Sequence, residues 1–278
     1  MQTAVFVGSE SCLTRYELAR HHQRLLPDVY VPKPWNPTLR DRTVATWLWS
    51  KRRAIVAGSA AAALHGASWV DATEPIELIW NNGRPPAGVI VRNDAIADDE
   101  TTKVAGIPVT TRTRTAFDLG RRLNRGDAVA RLDALKRATA YRDADVLALI
   151  ERYPGSRGLK SLRNVLPLVD RGAESPRETW LRLLLVDAGL PQPTSQVRIF
   201  DGQSLIKVLD LAWEDYFVGA EYDGDHHRTD RRVYAKDVRV KRKVARMGWN
   251  VTYVIKEDRP NEVVRSVRDA LVARGWRP

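Results

Sequence analysis

Two acids stand where a strand would ordinarily bury apolar side chains. Asp210 interrupts the run Val208, Leu209, Leu211, Ala212, Trp213, and Glu221 follows Phe217, Val218, Gly219, Ala220. A carboxylate taken out of water costs several kcal/mol unless a hydrogen bond, a counter-charge or a cation compensates it. Asp223 comes two residues after Glu221, so on a strand both project to one face, and an antiparallel neighbour would bring Asp210 to the same spot. Carboxylates that close raise one another's pKa unless a divalent ion neutralises them, and an all-oxygen donor set suits Mg2+, with Mn2+ as a substitute. Hydrated Mg2+ is what phosphodiester hydrolysis requires. His226 and His227 follow, placed to deprotonate or orient water. The residues alone also allow blander roles. Asp210 could be an ion-paired strand residue, Glu221 the partner of an arginine, Asp223-Gly224 a turn, and the histidine pair a solvated one.

The elements that must position these groups follow from pattern. Residues 205–213 and 216–222 read as two strands around the polar pair Glu214-Asp215, and Asp201-Gly202 marks a hairpin turn joining residues 196–200 to 205–213. Ser175, Pro176 and Glu178 supply N-cap, first-turn proline and third-position acid, a helix start that accounts for Glu178 by itself. That helix runs to Gly189. Residues 228–246 read as a helix dense in cations, and Arg228, Arg231, Arg232, Lys236, Arg239 and Lys241 are the candidate contacts to a nucleic-acid backbone. A final strand at 248–255 and a helix at 260–274 complete the series.

Asp210, the eleven-residue step to Glu221 and an acid on the preceding helix resemble the PD-(D/E)XK nuclease superfamily. Glu221-Tyr222-Asp223-Gly224 followed by His227 is similar to its subgroup related to very-short-patch repair (Vsr) endonucleases, and the resemblance covers roughly residues 175–278. It implies a metal held by Asp210, Glu221 and the backbone carbonyl of Tyr222, with Glu178, Asp210, Glu221, Asp223 and His227 as the catalytic set. One position departs from the pattern: Asp223 stands where the superfamily carries lysine. His227 is the preferred replacement, with Lys236 and Lys241 as alternatives.

The N-terminal half shows no cluster of acids, histidines or nucleophiles over residues 1–150. Thr14 and Glu17 form a capping-box signature for a helix over 13–26, a short strand follows Asp28, and residues 38–51 give a second helix. An alanine-rich helix at 57–65, strands at 75–80, 88–92 and 107–111, and helices from Arg112 and Ala128 come next. The opening at Leu13 to Leu18, the stretch Ser59-Ala60-Ala61 with Leu64-His65-Gly66, and Pro108-Val109-Thr110 with Thr115-Ala116 and Asp118-Leu119 resemble the antitoxin of bacterial abortive-infection systems. That resemblance implies a winged-helix DNA-binding head followed by a small α/β body without catalytic residues.

The expected fold class is thus α/β in the α+β sense: a winged-helix-like head (1–52), an antitoxin-like body and helical linker (53–172), and a restriction-endonuclease-like domain with a central mixed sheet flanked by helices (173–278). Among 278 residues the net charge of +11 favours a polyanionic partner, DNA. A single cysteine, Cys12, excludes an internal disulfide, and no apolar run approaches the ~20 residues of a membrane span. The sequence therefore points to a cytoplasmic, Mg2+-dependent DNA endonuclease acting in repair or defence, a monomer or homodimer, nicking with one site per chain. The alternative is a non-catalytic, antitoxin-like DNA-binding regulator.

Overall fold

Strand β1 (Phe6–Val7) precedes helix α1 (Arg15–His21), and strands β2 (His22–Leu26) and β3 (Val29–Pro32) lead to helix α2 (Leu39–Trp49). Thr14 caps α1 as its sequence requires: its hydroxyl accepts from the Glu17 N–H at 3.3 Å, and the Glu17 carboxylate accepts from the Thr14 N–H at 2.7 Å. The helix is shorter than its periodicity suggested. Residues 22–26 leave it to pair antiparallel with β3, because Pro27 and Asp28, the latter at φ +60°, close a hairpin that buries Val29 and Val31. Tertiary pairing here overrides local helical spacing. The sheet order is β1-β3-β2, and Thr38 with Asp41 forms a second capping box at α2.

The chain continues through β4 (Ile55–Ala57), α3 (Gly58–Leu64), β5 (Ile76–Ile79), β6 (Val89–Arg92), β7 (Thr101–Val104) and β8 (Ile107–Thr110). These strands form one sheet in the order β6-β5-β4-β8-β7, followed by helices α4 (Arg112–Arg122), α5 (Arg125–Thr139), α6 (Asp143–Arg152) and α7 (Leu159–Val165). Strand β7 has no clear hydrophobic alternation and went unread. It pairs with β8 across Ala105 and Gly106, both at positive φ. Val44 of α2 packs in the same core as Val56, Leu78 and Val109, so the opening elements and the five-stranded sheet share one apolar interior.

The second series comprises α8 (Pro176–Asp187), β9 (Thr194–Asp201), β10 (Ser204–Trp213), β11 (Val218–Tyr222), α9 (Arg231–Arg246), β12 (Asn250–Val254) and α10 (Pro260–Ala273). Its sheet runs β12-β11-β10-β9: the two hairpin pairings, β9 with β10 and β10 with β11, are antiparallel, and β11 and β12 are parallel neighbours, the relation that a helical crossover such as α9 requires. Strand β11 begins at Val218 rather than 216, because Glu214–Tyr216 form a 3-10 turn and Phe217 adopts φ +53°. One sheet face packs Leu211, Trp213 and Ala220 against α8 and α10; the other packs Val197, Ile199 and Leu209 against Val244 of α9.

This computed structural model describes residues 4–224 and 231–277, with the backbone alone at 232–234. The chain divides into two compact units, Met1–Val169 and Asp170–Pro278, and the whole is an α+β protein.

Candidate functional site

Register brings the two anomalous acids together. Leu211 of β10 pairs with Ala220 of β11, so Asp210 and Glu221, the next residues outward, stand across the strands from one another. Asp210 Oδ2 accepts from the Tyr222 N–H at 2.9 Å. Opposite Asp210 on its other side, between the pairs Val197 with Leu209 and Ser195 with Leu211, Gln196 sits at φ +57°. That conformation is unfavourable for a residue with a β-carbon. Its side-chain amide donates to Glu178 Oε2 at 3.0 Å, tying the first helix to the acid strand. The strand's simple alternation breaks at this point, since Leu209 and Leu211 belong to the two opposite apolar clusters.

At Glu178 the backbone and the side chain are both held by hydrogen bonds. Its N–H donates to the Ser175 hydroxyl at 3.2 Å, so the helix is capped by serine. Its carboxylate accepts from the Glu174 N–H at 2.7 Å and from Gln196, and the Ser175 side chain hydrogen-bonds it as well. Burial raises its pKa against those hydrogen bonds.

Asp210 is the most perturbed of the acids. Burial, and then the Glu178 and Glu221 carboxylates, push it up to about 7, opposed by the Tyr222 N–H and by Lys207. Glu221 is raised in the same direction, again chiefly by burial. One of its oxygens, Oε1, meets Lys207 Nζ at 2.5 Å; the other, Oε2, is buried with no hydrogen-bond partner. Asp223 faces Lys241 at 2.8 Å, and Lys241 also reaches Asp237 at 3.1 Å and stands 4.1 Å from the Tyr253 ring centre. Lys207, Glu221, Tyr222, Asp223, Asp237 and Lys241 line a pocket of about 200 Å3.

Among the described residues no three histidine, cysteine, aspartate or glutamate side chains converge closely enough to hold a metal ion by themselves. Magnesium does not demand three: it is commonly held by one or two carboxylates and keeps several waters. The bare, buried Glu221 Oε2 and the raised Asp210 fit that requirement, since a divalent cation would satisfy the first and ionise the second.

The other candidates distribute unevenly. Of the basic residues, Arg231, Lys236 and Arg239 are exposed on α9, while Lys241 faces the acid pocket rather than solvent alone. His227 and Arg228 lie outside the described residues, as does the side chain of Arg232. Sequence reasoning missed Lys207 and Gln196. Lys207 carried the same signal as Asp210, a charge inside an apolar run, whereas nothing local marked Gln196.

No solved structure matches the chain significantly. Two uncharacterized proteins of Mycobacterium tuberculosis, MT2308 of strain CDC 1551 / Oshkosh and Rv2248 of strain ATCC 25618 / H37Rv, are each 28% identical over 225 residues, which is 80% of this chain and 82% of theirs. None of these matches carries a nuclease description, so the nuclease resemblance rests on the residues of the C-terminal unit alone. The antitoxin resemblance stands on firmer ground: residues 54–172, which hold the five-stranded sheet and helices α3 to α7, match the model of the AbiEi antitoxin C-terminal domain.

Proposed function

We propose that the protein is a DNA-binding, antitoxin-like regulator. The observation that carries this reading is the match of residues 54–172 to an antitoxin domain. The elements preceding it suit DNA contact. Helix α1 buries only Leu18 and presents Arg15, Tyr16 and Arg20 to solvent, and the adjoining hairpin exposes Arg24 and Lys33. A short exposed helix with a basic hairpin beside it is the layout by which one element enters a groove while the other grips phosphate. Gel-shift titration of duplex DNA at rising salt tests this. Binding should weaken steeply with salt, and Arg15→Ala with Arg20→Ala should each flatten the log-log slope by about 1. Failure of the intact chain to bind any duplex at low salt refutes the reading.

A second reading, favoured by the unpartnered Glu221 Oε2 beside Asp210, is metal-dependent phosphodiester hydrolysis in the C-terminal unit. Asp210 and Glu221 would hold Mg2+ together with the Tyr222 carbonyl. The ion would activate water and stabilise charge on the scissile phosphate. Lys207, already at Glu221, supplies the cation that Asp223 removes from the expected lysine position. The same ammonium also serves the regulator reading, since it partly neutralises Glu221 without any metal. Cleavage of labelled DNA with Mg2+, Mn2+ or EDTA separates the two: hydrolysis lost in Glu221→Ala establishes an enzyme, and binding without cleavage under all conditions leaves the regulator.

A further inference from the structure

In the N-terminal unit the segment after β6 and the loop between α6 and α7 border a second cavity, of about 860 Å3. Arginine dominates its wall. Asp94 Oδ2 accepts from the guanidinium groups of both Arg121 and Arg122, and Arg114 Nη2 lies 3.7 Å from the same oxygen. Three guanidinium groups around one anionic oxygen is the arrangement that recognises phosphate. These arginines are held from behind. Arg114 Nε and Arg121 Nε each donate to Asp118 at 3.0 Å, and Arg114 also donates to Glu100 and to the Ala95 carbonyl. Their orientation is therefore fixed before any ligand arrives, which lowers the cost of binding one.

Donors remain unused at the rim. Arg157 is exposed and makes no ion pair or hydrogen bond among the described residues. Arg92 Nε is buried without a partner, although its Nη2 lies 3.4 Å from Glu77. The loop carrying Arg157 is set in place by Gly158, at φ +84°, where a β-carbon would overlap the Arg121 carbonyl oxygen. Only glycine permits that approach of loop to helix. A purely structural ion lattice has no use for a concave opening with spare donors on its edge.

We infer that this cavity binds a phosphorylated small molecule of nucleotide size, its phosphate received by Arg157 and Arg92, with Arg121 and Arg122 turning to it as it displaces Asp94. Asp94 is the internal anion against which that phosphate competes. A recessed volume within the range of about 300–1,000 Å3 typical of small-molecule sites favours such a ligand over a nucleic-acid backbone, which needs an open surface. Tyr153 adds a ring to the wall for the rest of the ligand.

Calorimetric titration of the full chain with inorganic phosphate, AMP, ATP and a short DNA duplex tests this. We expect saturable binding of at least one small probe, weakened about tenfold in Arg157→Ala, the loss of one charge-assisted hydrogen bond, with the melting temperature unchanged. Asp94→Asn should bind the same probe more tightly. Absence of saturable binding of all three small probes at millimolar concentration, or affinity unchanged in the Arg92→Ala, Arg157→Ala double variant, overturns the proposal. Binding confined to DNA and weakened by Arg157→Ala overturns it too, in favour of a backbone contact.

Discussion

The two units bury charge in opposite ways. In the N-terminal unit Arg114 is 1% exposed and Asp118 and Glu100 are as deeply buried, yet each acid there meets guanidinium donors from several directions. Arg152 adds contacts at 2.9 Å to Asp99 and Glu100. In the C-terminal unit Asp210 feels the charges of both Glu178 and Glu221, with Lys207 paired to Glu221 and with one Glu221 oxygen left bare. A balanced lattice stabilises a fold. An acid surplus is strained without a cation, and strain of that kind concentrates at sites built to bind something.

Removing a cation from the balanced lattice should therefore do the greatest damage. Arg114→Met leaves Glu100 and Asp118 buried without their shared partner, and a loss of roughly 3–5 kcal/mol in unfolding free energy is expected from breaking such a pair on one side. Urea titration at pH 7 measures it. The loss should shrink at acid pH, where the stranded Asp118 carboxyl, raised by burial, accepts a proton. A loss under 1 kcal/mol at neutral pH, taking the exposed-pair range of about 0–1 kcal/mol as the yardstick, would mean that the lattice is no more than a surface network.

The opposite sign is expected in the acid-rich site. Asp210 has its folded pKa raised from 3.8 to about 7, so the folded state holds the proton more tightly than the unfolded one. Its contribution is intact below the unfolded value and is lost as pH rises from near 4 to near 7. Asp210→Asn keeps an acceptor for the Tyr222 N–H and escapes that loss. In metal-free buffer the variant should match wild type near pH 4 and exceed it above pH 7 by on the order of 4 kcal/mol, from about 1.4 kcal/mol per pKa unit. Added Mg2+ should narrow the gap by stabilising wild type alone. Equal stability curves for the two proteins across this pH range would refute the view that Asp210 is under-compensated.

Glu178→Gln probes the same surplus more gently. Burial is the larger cause of the Asp210 shift and the Glu178 charge the next, so the variant should move the Asp210 titration part of the way towards ordinary values without reaching them. Carbon-detected NMR of the Asp210 carboxyl reads this directly, and an unmoved midpoint would separate the two side chains electrostatically.

Legibility in the sequence followed the range of the interaction. Caps at Thr14 and Ser175 depend on residues three apart, and the Asp201-Gly202 turn on two neighbours, so these were readable. Asp210 and Glu221 stood out because an acid in an apolar run contradicts its surroundings. The over-long first helix was a conflict between local period and a hairpin partner that periodicity does not see. Arg114 offered in sequence only its helical neighbour Asp118, four residues on; its importance arises when the 3-10 turn before β7 and the segment after β6 bring Glu100 and Asp94 to it. The same holds for Gln196, whose value lies in reaching Glu178 on another element.

The smallest effect tests whether the acid site depends on charge or merely on a well-formed helix. Ser175 accepts from the Glu178 N–H and begins α8, so Ser175→Ala removes a cap worth about 1 kcal/mol. A serine hydroxyl does not titrate between pH 4 and 8, so apart from the share carried by its hydrogen bond to the Glu178 carboxylate this loss should vary little across the range. Asp210→Asn, by contrast, should show a stability difference that grows with pH. Chemical denaturation of both variants at pH 4.5 and pH 8 compares the two dependences on one protein. If Ser175→Ala also became costlier with rising pH, the cap would be holding Glu178 against Asp210, and the helix terminus would have to be counted as part of the charged site.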